Sequence, residues 1–218
     1  MDDYIRRTNQ AYDAHPEKYE EATADMTPLQ ALEKFIEQVP TRDFPILDVG
    51  CAFGRDTILF AGRGYQVIGI DISDVLLKRA RELHPELVFK NMDVRNLDFD
   101  NNSIAGIWCN ATLLHLTDED ITKSLKEFRR VLIPDGIIFI SFKEGVGEEE
   151  VVDKFSSDSA RYYNYQTINT VRMIIEKGGL IVAEIYTVNE RQIWGDDKRD
   201  LEWVHCFAKK PPLSALDE

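Results

Sequence analysis

The 218 residues carry 39 acidic against 26 basic side chains, a net charge of −13, and 44% are hydrophobic. That length suits one domain with a proper core, and the charge works against nucleic-acid binding, which rests on Lys and Arg neutralising phosphates. No apolar segment approaches the ~20 residues that span a bilayer, and Cys51, Cys109 and Cys206 are too scattered for a disulfide framework. With the acidic opening Met1-Asp2-Asp3-Tyr4 in place of a basic-then-apolar leader, these features point to a reducing, cytoplasmic setting with buried thiols.

In chain order, residues 4–24 read as helical around Tyr4, Ile5, Tyr12 and Tyr19, with a break at His15-Pro16 because proline disfavours helix at the residue before it. Pro28 opens a second helical stripe of Leu29, Leu32, Phe35, Ile36 and Val39. Strands are expected at 45–49, 66–70, 87–91, 104–110, 136–142, 180–188 and 203–209. Helices are expected at 55–63, 73–83, 118–132 and 167–177, the second and third capped by Ser73 and Thr117. Pro134-Asp135-Gly136 is turn chemistry. Lys123, Lys126, Arg129 and Arg130 share one helix and read as a solvated face. Alternating strands and helices with continuous apolar strands predict an α/β three-layer sandwich with a mainly parallel sheet. Segments 180–188 and 203–209 leave no room for a long helix between them and are expected to pair antiparallel.

The chemistry concentrates at the first turn. Pro45-Ile46-Leu47-Asp48-Val49-Gly50-Cys51-Ala52-Phe53-Gly54-Arg55-Asp56 runs from strand through a small-residue turn into a helix, and Val67-Ile68-Gly69-Ile70-Asp71 ends in a second acid, 23 positions after Asp48. This layout places a nucleoside-bearing cofactor at the carboxyl edge of a parallel sheet, the second acid accepting hydrogen bonds from a ribose. Gly50-x-Ala52-x-Gly54 is not the Gly-x-Gly-x-x-Gly of a pyrophosphate loop, and Asp48 beside it suits an ammonium group instead. A nicotinamide dehydrogenase is therefore a distant reading.

These residues resemble the class I S-adenosylmethionine (SAM) methyltransferases, over about residues 40 to 142 and more loosely at the ends. The resemblance implies a seven-stranded, mainly parallel sheet with a reversed last strand and helices on both faces. It implies one domain over 1–218, with residues 1–40 as a helical cap and 143–166 as a substrate-side insertion. SAM is the implied cofactor: Gly50, Cys51, Ala52 and Gly54 form the turn beneath its methionine part, and Asp48 assists the ammonium. Asp71 takes the ribose hydroxyls and Ile72 packs on the adenine, while Asp93 and Val94 read the adenine edge. Asn110 and Leu113, on the segment Ile107–Leu116, lie where the family places residues at the methyl group, and Tyr19 belongs to an opening helix with Tyr12-Asp13 that closes over SAM. The plain alternatives are a tight turn for the glycines, a helix cap for Asp71 and core packing for the tyrosines.

His115 is a candidate general base, since imidazole titrates near neutrality; the alternative is a wall residue. Tyr163, in an aromatic run Arg161-Tyr162-Tyr163 that can roof the substrate, is the second catalytic candidate. Arg55 either meets an anionic group or braces Asp56, and Arg191 and Trp194 are expected near the same pocket. No metal is expected, because His15, His84, His115 and His205 are dispersed without ligand spacing. The implied activity is methyl transfer to a small-molecule acceptor by a monomer or homodimer with no membrane contact. Methylation of RNA with a partner, which Arg161-Tyr162-Tyr163 and Gly178-Gly179 faintly suggest, and a non-catalytic SAM-binding role stay open as alternatives.

Overall fold

The first apolar run forms a strand because Ile46, Leu47 and Val49 are buried from both faces, with parallel neighbours on either side. In the computed structural model, which describes residues 2–152 and 159–212, this strand is β1 (Ile46–Val49), preceded by α1 (Asp3–Asp13), α2 (Pro16–Thr23) and α3 (Leu29–Gln38). The His15-Pro16 break separates α1 from α2, with Pro16 in the first turn of α2. The chain then alternates through α4 (Arg55–Ala61), β2 (Val67–Asp71), α5 (Asp74–Leu83), β3 (Val88–Asn91), β4 (Ile104–Cys109), α6 (Asp118–Val131) and β5 (Leu132–Lys143). Ser73 and Thr117 cap α5 and α6 through their side-chain oxygens, accepting from Leu76 N and Asp120 N.

After β5 come a hairpin of β6 (Gly147–Val151) and β7 (Arg161–Tyr165), then α7 (Ile168–Lys177), β8 (Ile181–Asn189), α8 (Glu190–Trp194) and β9 (Glu202–Lys209). The main sheet has seven strands in the order β3-β2-β1-β4-β5-β9-β8. Its β3-to-β5 part is parallel, and β9 runs antiparallel to both β5 and β8. The expected mainly parallel sheet with its reversed last strand is therefore present.

Strand alternation sorts the core into two faces. Ile107, Ile138, Ile140, Val204 and Cys206 pack on the face holding α6 and α7. Trp108, Phe139 and Phe207 point the other way, into an aromatic cluster with Phe35 of α3 and Phe60 of α4. Trp108 stacks on Phe139 at 4.1 Å and meets Phe35 and Phe60 edge-on at 5.5 and 5.7 Å. All three cysteines are buried and free.

Three local features add to the sequence reading. β5 begins at Leu132, not after the Pro134-Asp135-Gly136 turn; Asp135 takes the left-handed conformation (φ 62°) and the ladder to β4 shifts register there. The 143–166 insertion contains the β6–β7 hairpin, although residues 153–158 lie outside the described residues, as do Met1 and 213–218 of the expected domain. The link between β8 and β9 holds the short α8, capped by Asn189. Among the described residues no helix is long and apolar enough to cross a membrane.

Candidate active site

A cavity of about 500 Å³ opens over the carboxyl ends of β1, β2 and β4, within the usual size of a small-molecule site. Its floor is the first turn. Asp48, 2% exposed, accepts a 2.6 Å hydrogen bond from the Thr57 hydroxyl at Oδ2. Burial, reinforced by the Asp56 carboxylate nearby, pushes the Asp48 carboxyl well above the ordinary carboxylate range. Gly50 is required twice over: its φ is +70°, and an added Cβ would stand 2.1 Å from Thr112 Oγ1. Thr112 is held there by donating its hydroxyl to Val49 O at 2.9 Å.

Ala52 also takes a left-handed conformation (φ 50°), which costs a non-glycine residue about 1–2 kcal/mol. What holds it is Asp71, whose Oδ2 accepts from Ala52 N while Oδ1 accepts from Ser73 N, both at 2.9 Å. Asp71 thus joins the ends of β1 and β2, and each oxygen retains a second lone pair for a ligand. Ala111, past β4, is a second left-handed alanine (φ 54°), pinned by its N–H to Ser141 Oγ at 2.7 Å. Two such residues lining one cleft is the distribution expected where the backbone is shaped for a ligand.

Asp56 is the polar hub beneath the turn. It accepts from Thr27 Oγ1 (2.6 Å), Arg55 Nε (2.7 Å), Trp108 Nε1 (2.8 Å) and Asn110 Nδ2 (3.3 Å). Burial would raise its carboxyl, but the Arg55 guanidinium and these donors hold it below the ordinary range. Of the two roles open for Arg55, bracing Asp56 is the one seen, and Arg55 also donates to Thr23 O at 3.1 Å. The hub ties α2, α3's entry, α4 and β4 into one rigid base.

The roof comes from α1, α2 and the β6–β7 hairpin. The period-2 alternation of β7 sends Arg161 and Tyr163 to the cavity and Tyr162 toward Tyr4 of α1. His115 Nδ1 lies 2.7 Å from Tyr162 O, a carbonyl that only accepts, so this nitrogen carries the proton. Its Nε2 therefore accepts from the Tyr12 hydroxyl at 2.8 Å. Burial lowers the imidazole pKa to about 3, keeping it neutral. Arg161 donates to Tyr12 Oη at 3.2 Å, and Tyr19 packs edge-on between Tyr12 (5.0 Å) and Phe53 (6.1 Å).

At the β5–β9 end, Lys143, Tyr163, Trp194 and Trp203 line the cavity with the ion pair of Glu190 and Arg199 (3.0 Å, Nε to Oε2). Glu190 is fully buried and also accepts from Trp203 Nε1 at 3.1 Å. The cavity is thus acidic at its β1–β2 end and cationic with aromatic walls at the other.

Of the residues picked from the sequence, Tyr19, Asp48, Gly50, Cys51, Ala52, Asp71, Ile72, Asp93, Val94, Asn110, His115 and Tyr163 all line this one cavity. Gly54 and Leu113 do not. Gly54 caps α4, and a Cβ there would meet Phe89 and His84, on the side of the turn away from the cleft. Leu113 is fully buried in the core, whereas its neighbours Thr112 and Leu114 reach the cavity. Trp194 is at the cavity and Arg191 is not, being paired with Asp200 at 3.3 Å. Asp93 is already held bidentately by Arg95, at 2.7 Å from Nη2 and 3.0 Å from Nε. Arg95 outweighs burial and keeps that carboxyl below its ordinary range. Glu190 and Trp203 also belong to the site, and no sequence motif marks either of them. Among the described residues no group of His, Cys, Asp and Glu is arranged to hold a metal ion.

The carboxylates at the ends of β1 and β2 fit a nucleoside-sulfonium cofactor, one suited to an ammonium and the other to a diol. Residues 46–136 match a protein family described as a methyltransferase domain. The chain is 32% identical over 116 residues to YqeM of Bacillus subtilis, which carries a provisional methyltransferase name, covering 51% of this chain and 47% of that one. It is 27% identical over 179 residues to the methyltransferase GfsG of Streptomyces halstedii, covering 74% and 63%. The chain thus spans about half to two thirds of these relatives. Among solved structures, the 1,6-didemethyltoxoflavin-N1-methyltransferase of Burkholderia thailandensis, with bound S-adenosylhomocysteine, superposes with a TM-score of 0.72 at 18% identity, covering 95% of this chain and 89% of that one. The family match thus covers residues 46–136, and the chain shares its fold with solved SAM-dependent methyltransferases.

Proposed function

We propose that the chain is a SAM-dependent methyltransferase acting on a small-molecule acceptor. The observation that carries this reading is the polarity of the cavity: carboxylates at the turn end, aromatic rings and cations at the other, under a roof of α1 and β7. The bound cofactor supplies a sulfonium-activated methyl group, so the protein's part is to bind, align and exclude water. Asp48 meets the ammonium group and Asp71 the ribose hydroxyls, while Ile72 and Val94 flank the adenine. Tyr19, packed on Phe53, closes the turn from above.

On the acceptor side, the chain's own residues would orient the acceptor's lone pair toward that methyl group. His115 positions more than it abstracts, because Nε2 is filled by the Tyr12 hydroxyl. Burial keeps the Tyr163 hydroxyl protonated, so it serves as a hydrogen-bond donor. The acidic surface, net −13, favours a small acceptor over RNA. The test is incubation with methyl-labelled SAM and cell extract, recovering metabolites and RNA separately. Label in the metabolite fraction supports the reading; label confined to RNA moves the function to nucleic acid, and failure of calorimetric SAM binding removes it.

A further inference from the structure

The acceptor end holds a cation with no ion-pair partner among the described residues. Lys143 ends β5, and its Nζ stands 3.6 Å from the centre of the Tyr163 ring. Among the described residues no carboxylate lies within ion-pairing distance of it and no acceptor hydrogen-bonds it. Arg161 lies over the same ring from β7, 5.5 Å from its centre. Arg199 is nearby, but its charge is spent on Glu190. In a chain of net charge −13, two cations meeting on one aromatic ring inside a cavity is the reverse of the overall field. Placing an ammonium half-buried with no ion-pair partner costs free energy in the empty site, and a ligand of opposite charge removes that cost.

We propose that the acceptor is an anionic, flat small molecule, whose carboxylate is bound by Lys143 and whose ring or conjugated plane lies among Tyr163, Tyr12 and Trp194. This rests on the methyltransferase reading and adds the class of its acceptor. The groups facing Lys143 are Arg161 and Tyr163 of β7, Glu149 of β6, Glu190 of α8, and Arg199. Burial and the two arginines bring the ammonium down to about 8. Binding a carboxylate raises it again, so at pH 8 the ligand takes up a proton with it.

The experiment uses the full chain saturated with S-adenosylhomocysteine and a panel of substituted benzoates, each beside its benzamide, titrated by calorimetry at pH 7. At pH 8 the titrations are repeated in buffers of different ionisation enthalpy. Benzoates are expected to bind at least tenfold more tightly than their amides, with proton uptake at pH 8. Lys143→Gln is expected to abolish the preference with S-adenosylhomocysteine affinity unchanged, and Lys143→Arg to keep it. Absence of a carboxylate preference across the panel, or its survival in Lys143→Gln, overturns the proposal. Proton release in place of uptake would instead make Lys143 a neutral base and overturn it equally. Failure of S-adenosylhomocysteine itself to bind strikes the methyltransferase reading, so the two failures are distinguishable.

Discussion

Replacing Asp48 with Asn separates the demands of the empty protein from those of the cofactor. Asp48 is buried beside Asp56, and both effects lift its folded-state pKa far above the unfolded value near 3.9. A carboxyl with a raised folded pKa contributes its full stability below the unfolded pKa and loses it as pH rises through the folded one. At neutral pH the carboxyl therefore works against the free fold. Each tenfold difference in proton affinity between the folded and unfolded carboxyl is worth about 1.4 kcal/mol, so a hundredfold difference expressed by pH 7 amounts to roughly 3 kcal/mol. Asn keeps the shape and the acceptor for the Thr57 hydroxyl without the charge. The ligand-free variant is expected to melt on the order of 5–10 °C higher than the parent at pH 7, at ~2–4 °C per kcal/mol for a domain of this size. The gap should widen from pH 5.5 to pH 8. S-adenosylhomocysteine affinity should fall at least ~30-fold, the ~2 kcal/mol lower end for losing one side of a buried charge pair. Scanning fluorimetry and calorimetry read the two effects. A melting gap that does not grow with pH would refute the electrostatic account, and unchanged affinity would refute the ammonium role.

Asp71→Ala removes the acceptor for Ala52 N and Ser73 N along with the ribose contact, and calorimetry should show cofactor affinity falling ~100-fold or more, the ~3 kcal/mol of a doubly used, half-buried carboxylate. Arg55→Leu strands the buried Asp56 charge at a cost of ~3–5 kcal/mol, so melting should drop by roughly 10 °C at pH 7; because Asp56 is held low, its stabilising pair acts above ~4 and the gap between variant and parent should narrow in acid. A drop under ~2 °C would mean Asp56 does not depend on Arg55. Deleting residues 1–24 removes the roof over the turn and should weaken cofactor retention and slow turnover; kinetics at the parent's level would leave α1 and α2 as packing alone.

Much of the cavity's turn end was legible because its signals are local. Continuous apolar strands, each ending in an acid, fix both the sheet edge and what protrudes from it, so Asp48 and Asp71 could be placed from spacing alone. Gly54 and Leu113 fall outside the cavity lining although each sits next to a cavity residue, because a one-residue difference in a turn reverses where a side chain goes. β6 was invisible for a physical reason: Glu148, Glu149 and Glu150 have weak strand preference, and they form a strand only because β7 and Arg7 of α1 receive them. The Asp56 hub was half visible, since Arg55-Asp56 is adjacent in sequence but Thr27 and Trp108 are brought by the fold. Lys143 and Glu190 carried no motif at all; their meaning appears only when β5, β7 and α8 converge.

The contacts that hold α1 also say something about assembly. Tyr4 bonds Asp120, Arg7 bonds Glu150 at 2.9 Å and Thr8 receives the Tyr162 N–H at 3.0 Å, spanning 116, 143 and 154 residues of sequence. Closing such long loops is entropically dear, and short-range strand–helix units form before them. Helix α1 is therefore docked late, because its partner Tyr162 lies 154 residues further along the chain. By the same count it is cheap to undock, so amide protons of α1 should exchange through local opening while those of β1 and β4 wait for global unfolding. Ligand traffic and the last step of folding then share one motion: the seating of the amino-terminal helix against β7.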